Sequence, residues 1–202
     1  FGLGHNNGRL FFKSATGDNF DVQTPNNKNF NDGKPKIVSA TRKKAAGGTN
    51  YLYVNGTLEG TGNSDNTSLS NAGYVGLGRN PTETASQFKG YVSEAIGKAY
   101  LVSTSERYVF ESYLAVKYGL TLSNDYKQAA AGSDSTIYSV SGYGYDVAGL
   151  GRNNSWELNQ KVSSSINVTS GSSRIVMATD NDFTSSNLLA SRTSLSNGQY
   201  LI

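Results

Sequence analysis

The stretch from residue 87 to residue 122, QFKGYVSEAIGKAYLVSTSERYVFESYLAVKYGLTL, constrains the fold of this chain more than any other. Its first half alternates. Phe88, Gly90, Val92, Glu94 and Ile96 share one face, and the phase breaks at Gly97 before Tyr100, Leu101 and Val102. Such alternation predicts a half-buried strand over residues 87–102. Ser103 then stands as an N-cap with Glu106 three positions on, the pair that closes a capping box. Val109, Tyr113 and Val116, flanked by Phe110 and Leu114, recur at helical spacing and predict a helix over 104–118. Gly119 suits the left-handed position after the last turn, and Leu120 can pack back over it. A mainly β chain with one docked helix is the architecture this implies.

The rest of the chain reads as short strands joined by turns. It holds 23 Gly, 21 Asn and 13 Tyr among 202 residues, a composition suited to many Gly/Asn turns between strands. The aromatic content argues against disorder, which is poor in such residues. Strands are predicted over 9–13, 19–23, 35–42, 50–54, 57–60 and 73–78. Asn55–Gly56 marks a type I′ hairpin between two of them, and Asn7–Gly8 and Asn31–Asp32–Gly33 are further turn signals. Gly-Leu-Gly followed by His or Arg and then Asn occurs at 2–6, 76–80 and 149–153. The flanking residues are unrelated, so the motif reads as a strand ending in a turn rather than as a tandem repeat.

The 87–122 segment also carries a resemblance. Gly90, Val92, Glu94, Ala95 and Ile96 match a terminal strand written G-x-[VI]-x-E-[AI]-I. Ser105, Glu106 and Arg107, then Glu111, Ser112, Tyr113, Leu114, Ala115, Lys117, Tyr118 and Gly119, match the helix that follows it. The order resembles the end of a laminin-G-like, concanavalin A-like jelly roll of large secreted bacterial surface proteins. The resemblance implies that residues 1–120 form the C-terminal part of such a β-sandwich, truncated at its N-terminus, with the 104–118 helix as its closing clasp. In relatives a hairpin like that around Asn55–Gly56 displays a side-chain ladder, here Tyr51 and Tyr53.

Residues 121–202 read as a second β-rich module, entered through a polar linker over 123–135. Its strands are predicted over 136–140, 146–151, 161–168, 173–178 and 198–202. The run from Asp146 to Ser163 resembles an uncharacterised β-module that follows such jelly rolls in the same surface proteins. The chain begins without Met at Phe1 and stops within an alternating run at Ile202, so it reads as a piece of a longer protein.

Chemistry-bearing residues are sparse. The net charge of +3 is mild, and the cluster Arg42, Lys43, Lys44 precedes Ala-Ala-Gly-Gly as a solvated loop, which gives no basis for a nucleic-acid partner. There is no Cys. No run approaches the ~20 apolar residues of a membrane-spanning helix. Glycosidases of the resembling fold use paired carboxylates about 5–9.5 Å apart, and no strand offers such a pair. Glu94 reads as a structural acid, with Arg107 as its partner. His5, the single histidine, sits in a terminal turn without a triad.

Two sets of residues stand out as candidate sites. Asp180, Asn181 and Asp182 form a dense oxygen cluster that suits calcium, as does Asp18-Asn19-Phe20-Asp21; strand-capping Asx turns are the competing reading of both. Tyr143 and Tyr145 in a Gly-Tyr loop, with Trp156, suit stacking on sugar rings; the competing reading is an aromatic cover over a thin core. No catalytic residues are expected. The resemblance implies an extracellular or cell-surface setting on a Gram-negative bacterium, with type IX export and a part in gliding or attachment. It implies adhesin-like carbohydrate or surface contact or a spacer role, with partners in a glycan or surface ligand, secretion components or other segments of the same protein. An accessory part of a polysaccharide-active enzyme, or a subunit of a surface filament, is the alternative.

Overall fold

A computed structural model describes residues 2–13, 22–45, 47–63, 88–129, 134–166 and 174–202. These residues are mainly β, in several small antiparallel sheets, with one α-helix among them. Two compact units divide the chain.

The first unit comprises Phe1–Asp32, Ala40–Tyr53 and Leu58–Val102. Strands β1 (Gly2–Asn6) and β2 (Arg9–Lys13) form a hairpin, and β3 (Val22–Gln23) pairs with the far side of β2. Asn7 and Gly8 turn the hairpin with φ of 48° and 80°, the pair of positive values a type I′ turn demands. His5 therefore lies in a strand, opposite Leu10, rather than in a turn. β4 (Val38–Thr41), β5 (Thr49–Val54) and β6 (Thr57–Asn63) follow one another in a three-stranded sheet. Asn55 and Gly56, which are counted with the second unit, make the turn between β5 and β6 with φ of 47° and 84°. In β5, Asn50, Leu52 and Val54 are buried, while Tyr51 and Tyr53 stack on the other face with ring centroids 6.2 Å apart, the expected ladder.

The strand expected over residues 87–102 is not formed: residues 88–102 contain no strand. Phe88, Tyr91, Val92, Ile96 and Leu101 are all exposed. Alternation describes a strand only when a neighbouring strand takes up its backbone groups and a core takes one face. Among the described residues no strand pairs with this segment. Residues 14–21 and 64–87 lie outside the described residues, and with them Asp18, Asp21, the predicted strand over 73–78 and the middle Gly-Leu-Gly motif.

The second unit comprises Gly33–Ser39, Val54–Thr57 and Ser103–Ile202. Its helix, α1, runs Thr104–Tyr118. Ser103 Oγ accepts from the Glu106 amide at 3.1 Å, and Glu106 Oε2 accepts from the Ser103 amide at 2.8 Å, closing the capping box. Gly119 takes the left-handed conformation (φ 65°) with its amide bonded to Ala115 O, and a Cβ there would collide with the Ser164 carbonyl. The buried face comprises Arg107, Val109, Glu111, Ser112, Ala115 and Val116. It is thus turned from the predicted stripe toward the smaller Ser112 and Ala115, with Tyr113 and Leu114 at its margin. Small side chains allow a close approach there: Ser112 Oγ accepts from the Lys127 amide at 2.8 Å and donates to Tyr108 O.

Lys127 belongs to β7 (Tyr126–Gln128), which pairs with β8 (Ser135–Tyr138). The expected linker over 123–135 is therefore corrected, since its polar flanks surround one of the most buried side chains of the protein. Tyr126 packs with Ala115, Val116, Leu120, Leu122, Val147, Leu158 and Ile37 in one core. Its hydroxyl donates to Leu120 O at 3.0 Å and accepts from the Leu122 amide at 3.1 Å. β9 (Leu150–Asn153) lies between β10 (Leu158–Gln160) and β13 (Tyr200–Leu201), and β11 (Val162–Ser164) pairs with β12 (Val176–Ala178). The helix shares its core with this module, and the second compact unit takes in Ser103–Ile202 together with Gly33–Ser39 and Val54–Thr57. Arg107 ion-pairs with Glu111 one turn on, at 2.7 Å, with both side chains buried.

Replacing Gly119 with Ala forces a Cβ into a left-handed backbone, worth roughly 1–2 kcal/mol by itself, and into Ser164. We expect at least that loss in urea unfolding followed by Trp156 fluorescence. Tyr126→Phe removes the hydroxyl from a buried donor and acceptor and is expected to cost about 1–3 kcal/mol in the same measurement.

Candidate functional site

β8 ends at Tyr138, and the chain turns through Gly142, Tyr143, Gly144 and Tyr145 before re-entering the core at Asp146 and Val147. Asp125 holds the entry: its Oδ1 accepts from Ser139 Oγ and the Val140 amide, both at 3.0 Å. The exit is set by Asp146, buried with φ 51°, and by the Val147 amide, which donates to Thr121 Oγ1 at 2.9 Å. In the middle, Tyr138 donates its hydroxyl to Tyr143 O at 2.7 Å. The Tyr138 ring is fixed in turn by an edge contact with Tyr126, 5.8 Å between centroids. Tyr143 and Tyr145 themselves are each 80% exposed. Two amphipathic rings on a pinned loop present apolar faces with a polar tip, the arrangement that suits contact with a partner wet at one end.

Trp156 has a different part. It is half-buried in the 3-10 turn Asn154–Trp156, edge-on to Phe110 with centroids 4.8 Å apart and tilted against Tyr113 at 5.7 Å. Those contacts tie the turn to the helix and set Trp156 apart from the exposed Tyr143 and Tyr145. The ring covers the core, as a large aromatic side chain in a thin β-protein must.

The Asp180–Asp182 turn is built around a cation already present in the protein. Arg192, with a fully buried side chain, sends one nitrogen to Asp180 Oδ1 at 2.5 Å, and another lies 3.9 Å from Asp182 Oδ1. It also donates to the carbonyls of Ser185 and Ser186. Asp182 Oδ1 further accepts from the Thr184 hydroxyl and from the amides of Thr184 and Ser185. Hydrogen bonds from Ser185 and then Thr184 hold the Asp182 carboxyl well below the usual carboxylate range. Carboxylates facing a guanidinium and capping their own turn do not converge on an empty centre, so the calcium reading of Asp180, Asn181 and Asp182 is corrected to an arginine-centred loop. Among the described residues no group of three or more His, Asp or Glu side chains could hold a metal ion.

Elsewhere in the same unit, burial lifts the Glu111 carboxyl above its ordinary range, with Arg107 and the Ser39 hydroxyl pulling it back. The long polar side chains of the 157–161 segment, which carried no sequence signal for binding, line a concave surface with Lys117. That surface was invisible to the sequence because its walls come from three separated segments.

Residues 106–202 match the model of a domain of unknown function (DUF8202). The matched segment covers most of the helix and all that follows it, in keeping with a helix that belongs to the second unit. No curated protein and no solved structure matches the chain.

A carboxyl whose folded pKa is depressed stabilises the fold above its unfolded pKa, about 3.9 for Asp, and loses that contribution as pH falls through the folded value. The Thr184 and Ser185 amide resonances are therefore expected to hold their positions as pH is lowered through 4, and to move only in stronger acid. Calcium or a chelator is expected to leave the Thr184 and Ser185 amide resonances unchanged.

Proposed function

We propose that this chain is a non-catalytic, adhesin-like part of a secreted or surface protein of a Gram-negative bacterium, contacting glycan through the Tyr143–Tyr145 loop. The observation that carries this reading is the exposure of both rings on a loop held at its entry, middle and exit. Holding a loop before binding lowers the ordering cost of association, and exposing two tyrosines to water has no role in the core. The resemblance over residues 90–119 supplies the setting: residues 1–120 as the C-terminal part of a concanavalin A-like jelly roll, type IX export, and a part in gliding or attachment. The alternating burial of β5 and the Tyr51–Tyr53 ladder agree with a sandwich face. Other segments of the same protein and secretion components are its further partners. Among the described residues no helix is long and apolar enough to cross a membrane.

A glycan array probed with the 202-residue chain tests the proposal. Tyr143→Ala and Tyr145→Ala are each expected to weaken the strongest signal roughly tenfold, the effect of truncating an aromatic anchor. Because both rings are exposed, the thermal midpoint should stay within a degree or two. Binding that is unaffected by the double substitution, or uniform absence of binding, would overturn the reading.

A further inference from the structure

The second unit has an open groove of about 280 Å³ between the last turn of α1, the 157–161 segment and residues 187–188. We propose that this groove is a binding site for an acidic saccharide, separate from the tyrosine loop. Its chemistry comes from Lys117, Lys161, Glu157, Asn159, Asn187 and Leu188. Lys117 Nζ is held by Tyr113 Oη at 2.7 Å and lies 5.0 Å from the centre of that ring. Lys161 Nζ donates to the Leu189 carbonyl at 3.2 Å, and among the described residues no carboxylate lies within ion-pair distance of it. A neutral ligand covering Lys161 would strip water from an uncompensated charge, whereas a carboxylate or sulfate would replace that water with a charge-assisted hydrogen bond.

The groove is shaped before any ligand arrives. Asn187 Oδ1 accepts from the amides of Lys161 and Val162, and Asn187 Nδ2 donates to Asn159 O at 2.8 Å. Arg192 clamps the loop just before it through Asp180, Ser185 and Ser186. Such a wall is already ordered, so binding does not bear the cost of ordering it. Leu188 stands on that wall 88% exposed, an apolar surface for the face of a sugar ring. Glu157 occupies a left-handed backbone conformation (φ 54°) that glycine would adopt without steric cost. The sequence instead places there a carboxylate able to accept hydrogen bonds from hydroxyl groups. An open, polar groove with one exposed leucine suits a hydroxyl-rich ring better than a peptide, which needs deep pockets for its side chains.

Calorimetric titration of the 202-residue chain decides the matter, using an alginate-derived uronate trisaccharide, a neutral glucan trisaccharide and triglutamate. The uronate is expected to bind at least about tenfold more tightly than either of the others. Lys161→Gln should weaken uronate binding about tenfold and reduce its salt dependence, as expected when one charge contact is lost. Leu188→Ser should weaken binding with its salt dependence intact, and Tyr143→Ala should leave it unchanged. The last arm separates this site from the tyrosine loop, so either can fail alone. Equal binding of triglutamate, unchanged binding by Lys161→Gln in a protein with wild-type circular dichroism, or no uronate binding would overturn the proposal.

Discussion

The Tyr126 hydroxyl, set between the Leu120 carbonyl and the Leu122 amide, is the contact around which the second unit is arranged. The chain leaves the helix at Gly119, and residues 120–122 must run through the core without a ladder of their own. Buried backbone groups left without partners cost about as much as lost hydrogen bonds. One hydroxyl satisfies a donor and an acceptor of that segment at once, while its ring fills the space between helix and strands. Burial lifts the Tyr126 phenol far above its ordinary range, so it stays protonated and can keep donating. With this contact in place, Leu120 and Leu122 face inward, β7 lies along the helix, and Tyr138 is positioned to hold the exposed tyrosine loop.

The interior is thin in aliphatic side chains and relies on polar groups that have found partners. Arg107 with Glu111, Ser112 between the helix and β7, Arg192 at the centre of its loop, and Asn187 between two strand ends all follow one rule: a buried polar group is tolerated when its hydrogen bonds are made. Removing one member leaves the other stranded, which makes such contacts strong determinants of shape even where their net contribution to stability is small. The same devices hold the two candidate surfaces. Asp125 and Tyr138 set the tyrosine loop, and Asn187 and Arg192 set the wall of the groove, so both surfaces are ordered by neighbours that take no part in binding.

What could be read in advance was local. Helix α1 was legible to the residue because its start and stop are written in Ser103, Glu106 and Gly119, whose effects reach no further than one turn. The hairpin at Asn55–Gly56 was legible because positive φ at two successive residues is a property of those residue types. The segment 87–102 misled for the converse reason. Its alternation is a statement about faces, and faces acquire meaning only from a partner strand and a core. Tyr126 was missed because Ser, Asn, Asp, Lys and Gln surround it, and one aromatic residue among polar ones carries no period. Asp180 and Asp182 looked like calcium ligands because Arg192, which takes up their charge, lies ten or more residues further along the chain.

By itself, then, the sequence determined a mainly β chain, the place and limits of its helix and several of its turns, while the exposure of Tyr143 and Tyr145 was settled only by the structure. The helix and turns follow from backbone preferences of individual residues and from interactions within a few positions. Only the tertiary structure decided that the helix belongs with residues 103–202, that Trp156 serves the core, that Arg192 occupies the acidic turn, and that Lys117, Lys161 and Leu188 share one groove. Each of these depends on which distant groups meet, and the free energy of such meetings, the removal of apolar surface and charge from water, is a property of the assembled core rather than of any stretch of chain.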